Sequence, residues 1–277
     1  MAEITAEMVR KLRERSGLPM MDCKKALTET GGDEEAAMEL LRKRGAAAAE
    51  KKAGRATGEG RIGAYVDTAK GAGALVEVLC ETAPVANNPL FRELADKLAR
   101  QAAATGTSDA AALLEGKLVE DPSMTGRDLL HDVLNRLREN IQVNRVVYRA
   151  GGGVATYVHH TGKIGVIVVT EQATSNTELL NDVCMHIAAL QPDALTREQI
   201  PAATVEKEKE IAREQILASG KPANMVEKIL EGKINRWYSE RVLLEQPFVK
   251  DDKQTVAKVL EAAKIKLTDY VRLQVGC

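Results

Sequence analysis

Apolar positions at the start of the chain repeat with the 3.6-residue helical period through three successive segments. Residues 4–45 read I-T-A-E-M-V-R-K-L-R-E-R-S-G-L-P-M-M-D-C-K-K-A-L-T-E-T-G-G-D-E-E-A-A-M-E-L-L-R-K-R-G. In the first segment Met8, Val9 and Leu12 share a stripe, while Arg10, Lys11, Arg13 and Glu14 face water. Thr5 is placed to cap this helix and Ile4 to staple onto Val9. Ser16-Gly17 stops it, and Pro19 prevents its continuation. Asp22 is the expected cap of a second helix that ends near Gly31-Gly32, with Met20 and Met21 in the turn before it. Asp33 caps a third, with Glu34 and Glu35 in its first turn and Arg42, Lys43 and Arg44 in its last, and Gly45 ends it. A unit this small has little core of its own. An apolar Met20-Met21 pair beside Lys24 and Lys25 therefore suggests a surface that meets another protein.

The pattern then changes. Residues 46–61 turn to Ala, Lys and Gly and read as a helical tail passing into a flexible linker. From 62 the period becomes 2: segments 62–66 (I-G-A-Y-V) and 74–80 (A-L-V-E-V-L-C) form a strand pair, followed by a helix over 88–104. The same grammar returns at 153–158, 163–169 and 176–190, which points to a duplicated strand–strand–helix unit and an α+β, two-lobed core. Between the copies, 110–115 and 125–140 read as helices and 141–148 as a strand. Expected domains are therefore 1–45, a linker at 46–61, lobe one at 62–150 and lobe two at 151–277. The second lobe carries a helical-hairpin insertion at about 194–238. Its first arm, 205–217, is heavily charged; 219–222 is a turn with Pro222 at the first position of the next arm, where Met225, Val226, Ile229 and Leu230 make a thin apolar seam. That seam is suited either to a coiled-coil partner or to burial within its own domain.

Composition narrows the function. A formal net charge of −1 gives no global basic field for nucleic acid, and 3% aromatic residues leave little for base stacking. Cys23, Cys80, Cys184 and Cys277 are widely spaced, which favours neither a zinc ribbon nor a disulfide framework. No apolar run is long enough to span a membrane and no secretory leader is evident, so the cytoplasm is the expected location.

Candidate chemistry is sparse. Gly58-Glu-Gly60-Arg-Ile-Gly63 matches G-x-G-x-x-G, but a linker precedes it and a strand follows, the wrong context for a dinucleotide fingerprint. His159 and His160 are expected on opposite faces of a continuing strand, and Cys184 and His186 diverge on a helix, so neither pair suits a metal. His131 stands alone, and no carboxylate pair sits in an apolar setting fit for acid–base work. No catalytic residue, metal or cofactor is expected, and the chain does not read as an enzyme. One anomaly remains at 80–90 (C-E-T-A-P-V-A-N-N-P-L), where an apolar strand runs into a Pro-containing turn. It is either an ordinary strand-to-helix loop or an exposed contact loop on a rigid scaffold.

Taken together, these blocks resemble the translation elongation factor Ts family over nearly the whole chain. Residues 4–45 are similar to its N-terminal signature. Y-V-H-H-T-G-K-I-G-V (157–166), M-H-I-A (185–188), V-E-K-E (205–208), S-G-K-P (219–222) and Q-P-F-V (246–249) follow its later blocks in order. The resemblance implies a guanine-nucleotide exchange factor that binds elongation factor Tu, both GDP-bound and nucleotide-free, with no direct nucleic-acid or membrane contact. It implies that the N-terminal module is like a ubiquitin-associated domain and that Leu12, Met20, Met21 and Lys24 dock the partner. By the same resemblance the second lobe makes contact at His159 and Gly162, and the insertion is a coiled coil capable of homodimerisation. Thr82, Ala83, Pro84 and Val85 fall where the family's T-D-F-V segment disturbs the magnesium and phosphate site. Here the chain departs from its family, with Ala83-Pro84 in place of Asp-Phe. Burying a Phe is worth about 1.5–3 kcal/mol, which is one to two powers of ten in a rate at full effect. Pro84 fixes its own φ and makes a smaller, stiffer wedge. That departure motivates one alternative, a Tu-binding chaperone or storage partner with weak exchange; a second, of a different class, is a general protein-binding adaptor whose N-terminal module binds other partners.

Overall fold

The computed structural model describes residues 4–219 and 222–277. The chain opens with α1 (Ala6–Ser16), α2 (Met20–Glu29) and α3 (Glu34–Lys52). Thr5 Oγ1 accepts the Met8 N–H at 3.3 Å, and Gly17 ends α1 in the left-handed region at φ 67°. Val9, Leu12, Cys23, Ala26, Leu27, Ala37 and Leu41 close a small core, with Ile4 and Met8 at its edge.

Two boundaries among these three helices differ from the sequence reading. Helix α2 starts at Met20, because the Pro19 carbonyl already accepts the N–H groups of Asp22 and Cys23 at 3.0 and 3.1 Å. The methionines are thus its first turn, not a preceding loop, and Asp22 lies inside the helix. Helix α3 runs through Gly45 to Lys52, so Arg42, Lys43 and Arg44 are mid-helix and the last-turn cations are Lys51 and Lys52. Gly45 is there for contact: a Cβ at this position would stand 1.9 Å from Asn135 Nδ2. The segment that follows is also tethered. Asn140 Nδ2 donates to Arg55 O at 2.8 Å and Gln142 Nε2 to Ala53 O at 3.1 Å.

Strands β1 (Glu59–Asp67), β2 (Ala72–Cys80) and β3 (Ile141–Ala150) form one sheet in the order β1-β2-β3. Around it come α4 (Ala83–Ala86), α5 (Pro89–Thr105), α6 (Ala110–Glu115) and α7 (Gly126–Leu137). Apolar side chains of β2 (Val76, Val78), α5 (Phe91, Leu94, Leu98) and α7 (Leu130, Leu134) make the core. Two glycines of the G-x-G-x-x-G match, Gly60 and Gly63, serve this packing, while Gly58 faces open space. A Cβ at Gly60 would lie 2.3 Å from Val78 O, and one at Gly63 would lie 2.2 Å from Ala95 O.

A second sheet has the order β4 (Gly153–Val158), β5 (Ile164–Thr170), β8 (Leu267–Gln274). β4 and β5 are antiparallel, with Thr156 opposite Ile167. It packs with α8 (Thr177–Leu190) and α11 (Val256–Ala262), while β6 (Pro247–Phe248) and β7 (Asp251–Thr255) pair as a short antiparallel ribbon. Helices α9 (Ala202–Ala218) and α10 (Ala223–Arg241) are the inserted arms. Their seam is Ala212, Ile216, Val226, Leu230 and Ile234, with Met225 left exposed. Pro222 is the N-cap of α10, one position before the helix; Gly220 and Lys221 of the expected turn lie outside the described residues.

The architecture is α+β. The chain divides into two compact units: Met1–Tyr65, Ala74–Tyr148 and Gln274–Cys277 in the first, Val66–Gly73 and Arg149–Leu273 in the second.

Candidate partner-binding surface and tip

The anomalous segment at the end of β2 is a one-turn helix, α4, whose start projects into solvent. Thr82, Ala83 and Pro84 are exposed, while Val85 packs on the first core and Ala86 is buried. Its base is fixed by exchange of carboxylates. Glu139 Oε2 accepts the N–H groups of Glu81 and Thr82 at 3.1 and 3.0 Å, and Glu139 Oε1 accepts the Thr82 hydroxyl at 2.6 Å. In return Glu81 Oε1 accepts the Asn140 N–H at 2.6 Å and meets Arg55 at 3.3 Å. The Asn140 N–H, with Arg55, holds Glu81 below the usual carboxylate range. Arg138, left-handed at φ 63°, turns the chain out of α7 just before Glu139. On the far side Asn87 Nδ2 donates to Ala83 O at 3.0 Å, and Asn88 caps α5. Cys80 beneath the tip is no nucleophile: its S–H points to Thr82 O at 3.3 Å, and burial pushes its thiol up to about 12.

The N-terminal helices offer a different surface. Met20 and Met21, 44% and 61% exposed, begin α2, and Lys24 is exposed one turn later. Leu12 does not share that surface. It is 0% exposed, packed among Cys23, Leu27 and Leu41, so its side chain holds the helices together and has no area to offer a partner.

In the second unit β4 stops at Val158, so the expected divergence of His159 and His160 does not occur. The His159 N–H bonds Ile164 O at 2.9 Å in a turn, and the two imidazole centroids lie 4.2 Å apart. Tyr157 OH reaches His159 Nδ1 at 3.1 Å, leaving the ring half-exposed. Gly162 is buried at φ 75° with its N–H on His159 O at 2.7 Å; it closes this turn through its backbone.

A family model described as Elongation factor TS matches residues 81–277, beginning at the base of the tip. The chain belongs to the elongation factor Ts family. Elongation factor Ts of Methylococcus capsulatus is 46% identical over 275 residues, covering 99% of this chain and 92% of the relative. The same factor of Clostridium botulinum is 41% identical over 284 residues, with 99% and 92% covered. That of Thioalkalivibrio sulfidiphilus is 42% identical over 279 residues, again with 99% and 92% covered. Membership makes the chain a translation elongation factor.

Within this member of the elongation factor Ts family, one buried charge escaped the sequence reading. Glu77 on β2 is fully buried, a lone carboxylate that the sequence reading did not single out. Arg145 Nε and Nη2 bind its two oxygens at 2.6 and 3.1 Å, Asn144 Nδ2 adds a bond at 2.7 Å, and the Gly276 N–H approaches at 3.4 Å. Arg145 Nη2 also donates to Gln274 O at 2.5 Å. With its lone pairs occupied this way, Glu77 is a structural pin, not an acid or base. The visible signal was a single charge inside the apolar run 74–80.

Cys184 and His186 diverge as expected. Cys184 Sγ faces Ala155 O at 3.9 Å, and His186 lies between the Gln246 side chain at 2.9 Å and the Val249 N–H at 3.2 Å. Burial lowers the His186 pKa. No group of three or more His, Cys, Asp or Glu suited to a metal occurs among the described residues. Nor is any described helix long and apolar enough to cross a membrane.

Proposed function

We propose that this chain is a guanine-nucleotide exchange factor that binds elongation factor Tu and promotes GDP release, acting by contact and not by bond chemistry. Family membership supports the partner. The observation that carries the reading is the exposed Thr82-Ala83-Pro84 tip on a base fixed by Glu139. In this reading Met20, Met21 and Lys24 grip the GTPase and Leu12 supports them from behind. The tip disturbs the magnesium and phosphate site, and the His159–Gly162 turn contacts another Tu domain. Factor and GDP then weaken each other's hold on Tu reciprocally.

The same reading takes the helices before 46 as a ubiquitin-associated-like module, 46–61 as its connection, and 62–150 and 151–277 as lobes built on duplicated strand–strand–helix units. It places the protein in the cytoplasm. The hairpin is a candidate for homodimerisation, since Ile211, Leu217 and Met225 stay exposed beside its closed seam.

The test is stopped-flow release of labelled GDP from the cognate Tu. Acceleration by stoichiometric protein supports exchange. A stable complex with no acceleration would favour a chaperone or storage partner, the reading that the missing Asp-Phe motivates. The adaptor alternative gains nothing from family membership, and failure to form any complex is the result that would revive it.

A further inference from the structure

Thr82 stands at the N-cap of α4, where a threonine hydroxyl ordinarily accepts an N–H of its own helix. It makes no such bond. Its hydroxyl instead donates to Glu139, whose other oxygen takes the Glu81 and Thr82 amides. One carboxylate, 57 residues further along the chain, thus fixes two successive peptide units and the side chain at the root of the tip. Bonds to a charged acceptor are roughly twice as strong as neutral ones. Ala83 and Pro84 beyond have no side-chain hydrogen-bonding group; α4 holds them from the far side through Asn87, and the root sets where the turn points. Arg138 at φ 63° aims Glu139 at this root, and Asn140, bound through its backbone to Glu81 and through its amide to Arg55 O, holds the aim.

We infer that Glu139 is a positioning residue for the exchange tip, which fixes the direction in which Ala83-Pro84 meets the partner. The inference rests on the exchange reading above. In this arrangement the grip on Tu and the push on its nucleotide site depend on different residues. Loss of Glu139 therefore lowers the rate of release inside the complex and spares the affinity.

The experiment uses full-length Glu139→Gln, which keeps the size of the side chain and removes its charge. Labelled GDP release from Tu is followed at rising concentrations of the variant, with amide hydrogen exchange measured on the variant alone. The maximal release rate should fall about tenfold, or ~1.4 kcal/mol, with the half-saturating concentration unchanged within about twofold. The Glu81 and Thr82 amides should exchange faster, and those of Met20 and Met21 should not. A merely structural residue would lower the melting temperature and the affinity together. If the glutamine variant melts early, Thr82→Val, which removes only the hydroxyl bond on an exposed residue, must lower the maximal rate by itself. A folded Glu139→Gln chain with looser amides and an unchanged maximal rate overturns the inference while leaving exchange intact. A wild-type chain that fails to release GDP overturns the exchange reading, and the positioning role with it.

Discussion

The tip and the methionine pair are both exposed, yet they are built in opposite ways. The tip offers two small side chains, Ala83 and Pro84, on a root held by a network that reaches from Arg55 to Asn140. Met20 and Met21 offer long, polarisable side chains on the first turn of a helix anchored by a small core and by exposed ion pairs of Asp22 with Arg138 and Glu29 with Arg44. Flexible thioethers adapt to a partner surface and gain affinity by burial. A rigid projection gains little by burial, but it delivers its position without reorganising. In the proposed reading affinity and rate therefore fall to different places in the molecule, and substitutions should separate them.

The largest effect is expected in the sheet from which the tip extends. Glu77→Ala leaves Arg145 without its carboxylate and should cost about 3 kcal/mol of stability in a denaturant titration. It should degrade the sheet that carries the tip. A loss under about 1 kcal/mol would show that Arg145 relaxes to water, and that the sheet needs no such pin.

Next comes the grip. Met20→Ser with Met21→Ser should weaken the complex with Tu by about a hundredfold, since each buried methionine contributes roughly 1.5–3 kcal/mol at full burial. The maximal release rate and, within about 0.5 kcal/mol, the stability should hold. A lowered melting temperature with intact binding would make the pair core residues and abolish the contrast.

The converse change restores the family's residues at the tip. Ala83→Asp with Pro84→Phe should raise the maximal GDP release rate by about tenfold at nearly constant affinity. An unchanged rate would mean that the tip takes no part in exchange.

Smallest is a pH effect confined to the tip. Glu81 has a folded pKa below its ordinary value, so its contribution is fully present above the normal glutamate range and is lost as pH falls through the depressed value. The Asn140 amide resonance should therefore titrate with a midpoint below that of an exposed glutamate, with no matching shift at Met20 or Met21. A midpoint at or above the ordinary value would show that the Glu81–Asn140 bond does not form in solution.

Much of this contrast was legible in the chain. Thr5, Asp33, Asn88, Thr125 and Asn176 all cap helices near their expected starts, because a cap is a local event. Alternation marked β1, β2, β4 and β5 for the same reason. What stayed hidden depends on distant partners. Gly45 looks like a stop signal until Asn135 is seen pressed against it. Leu12 looks available for docking until the three helices close over it. Thr82 looks like an ordinary cap until Glu139 claims its hydroxyl. Nothing in a local window announces a bond across 57 positions. The strand at Leu267–Gln274 drew no reading either, since its run L-T-D-Y-V-R-L-Q buries only its two leucines and shows no clean alternation between them.

The Glu77 pin also dictates an order of events during synthesis. Its last bond comes from Gly276, 199 residues further along the chain. While the polypeptide is being made, β2 leaves the ribosome with an unsatisfied carboxylate in its middle, and Arg145 arrives long before Gln274 can hold it. The first sheet can therefore collapse once Arg145 has been made, but its pin is complete only when residues 274–276 have followed. Collapse and final locking are thereby separated by 129 positions of chain.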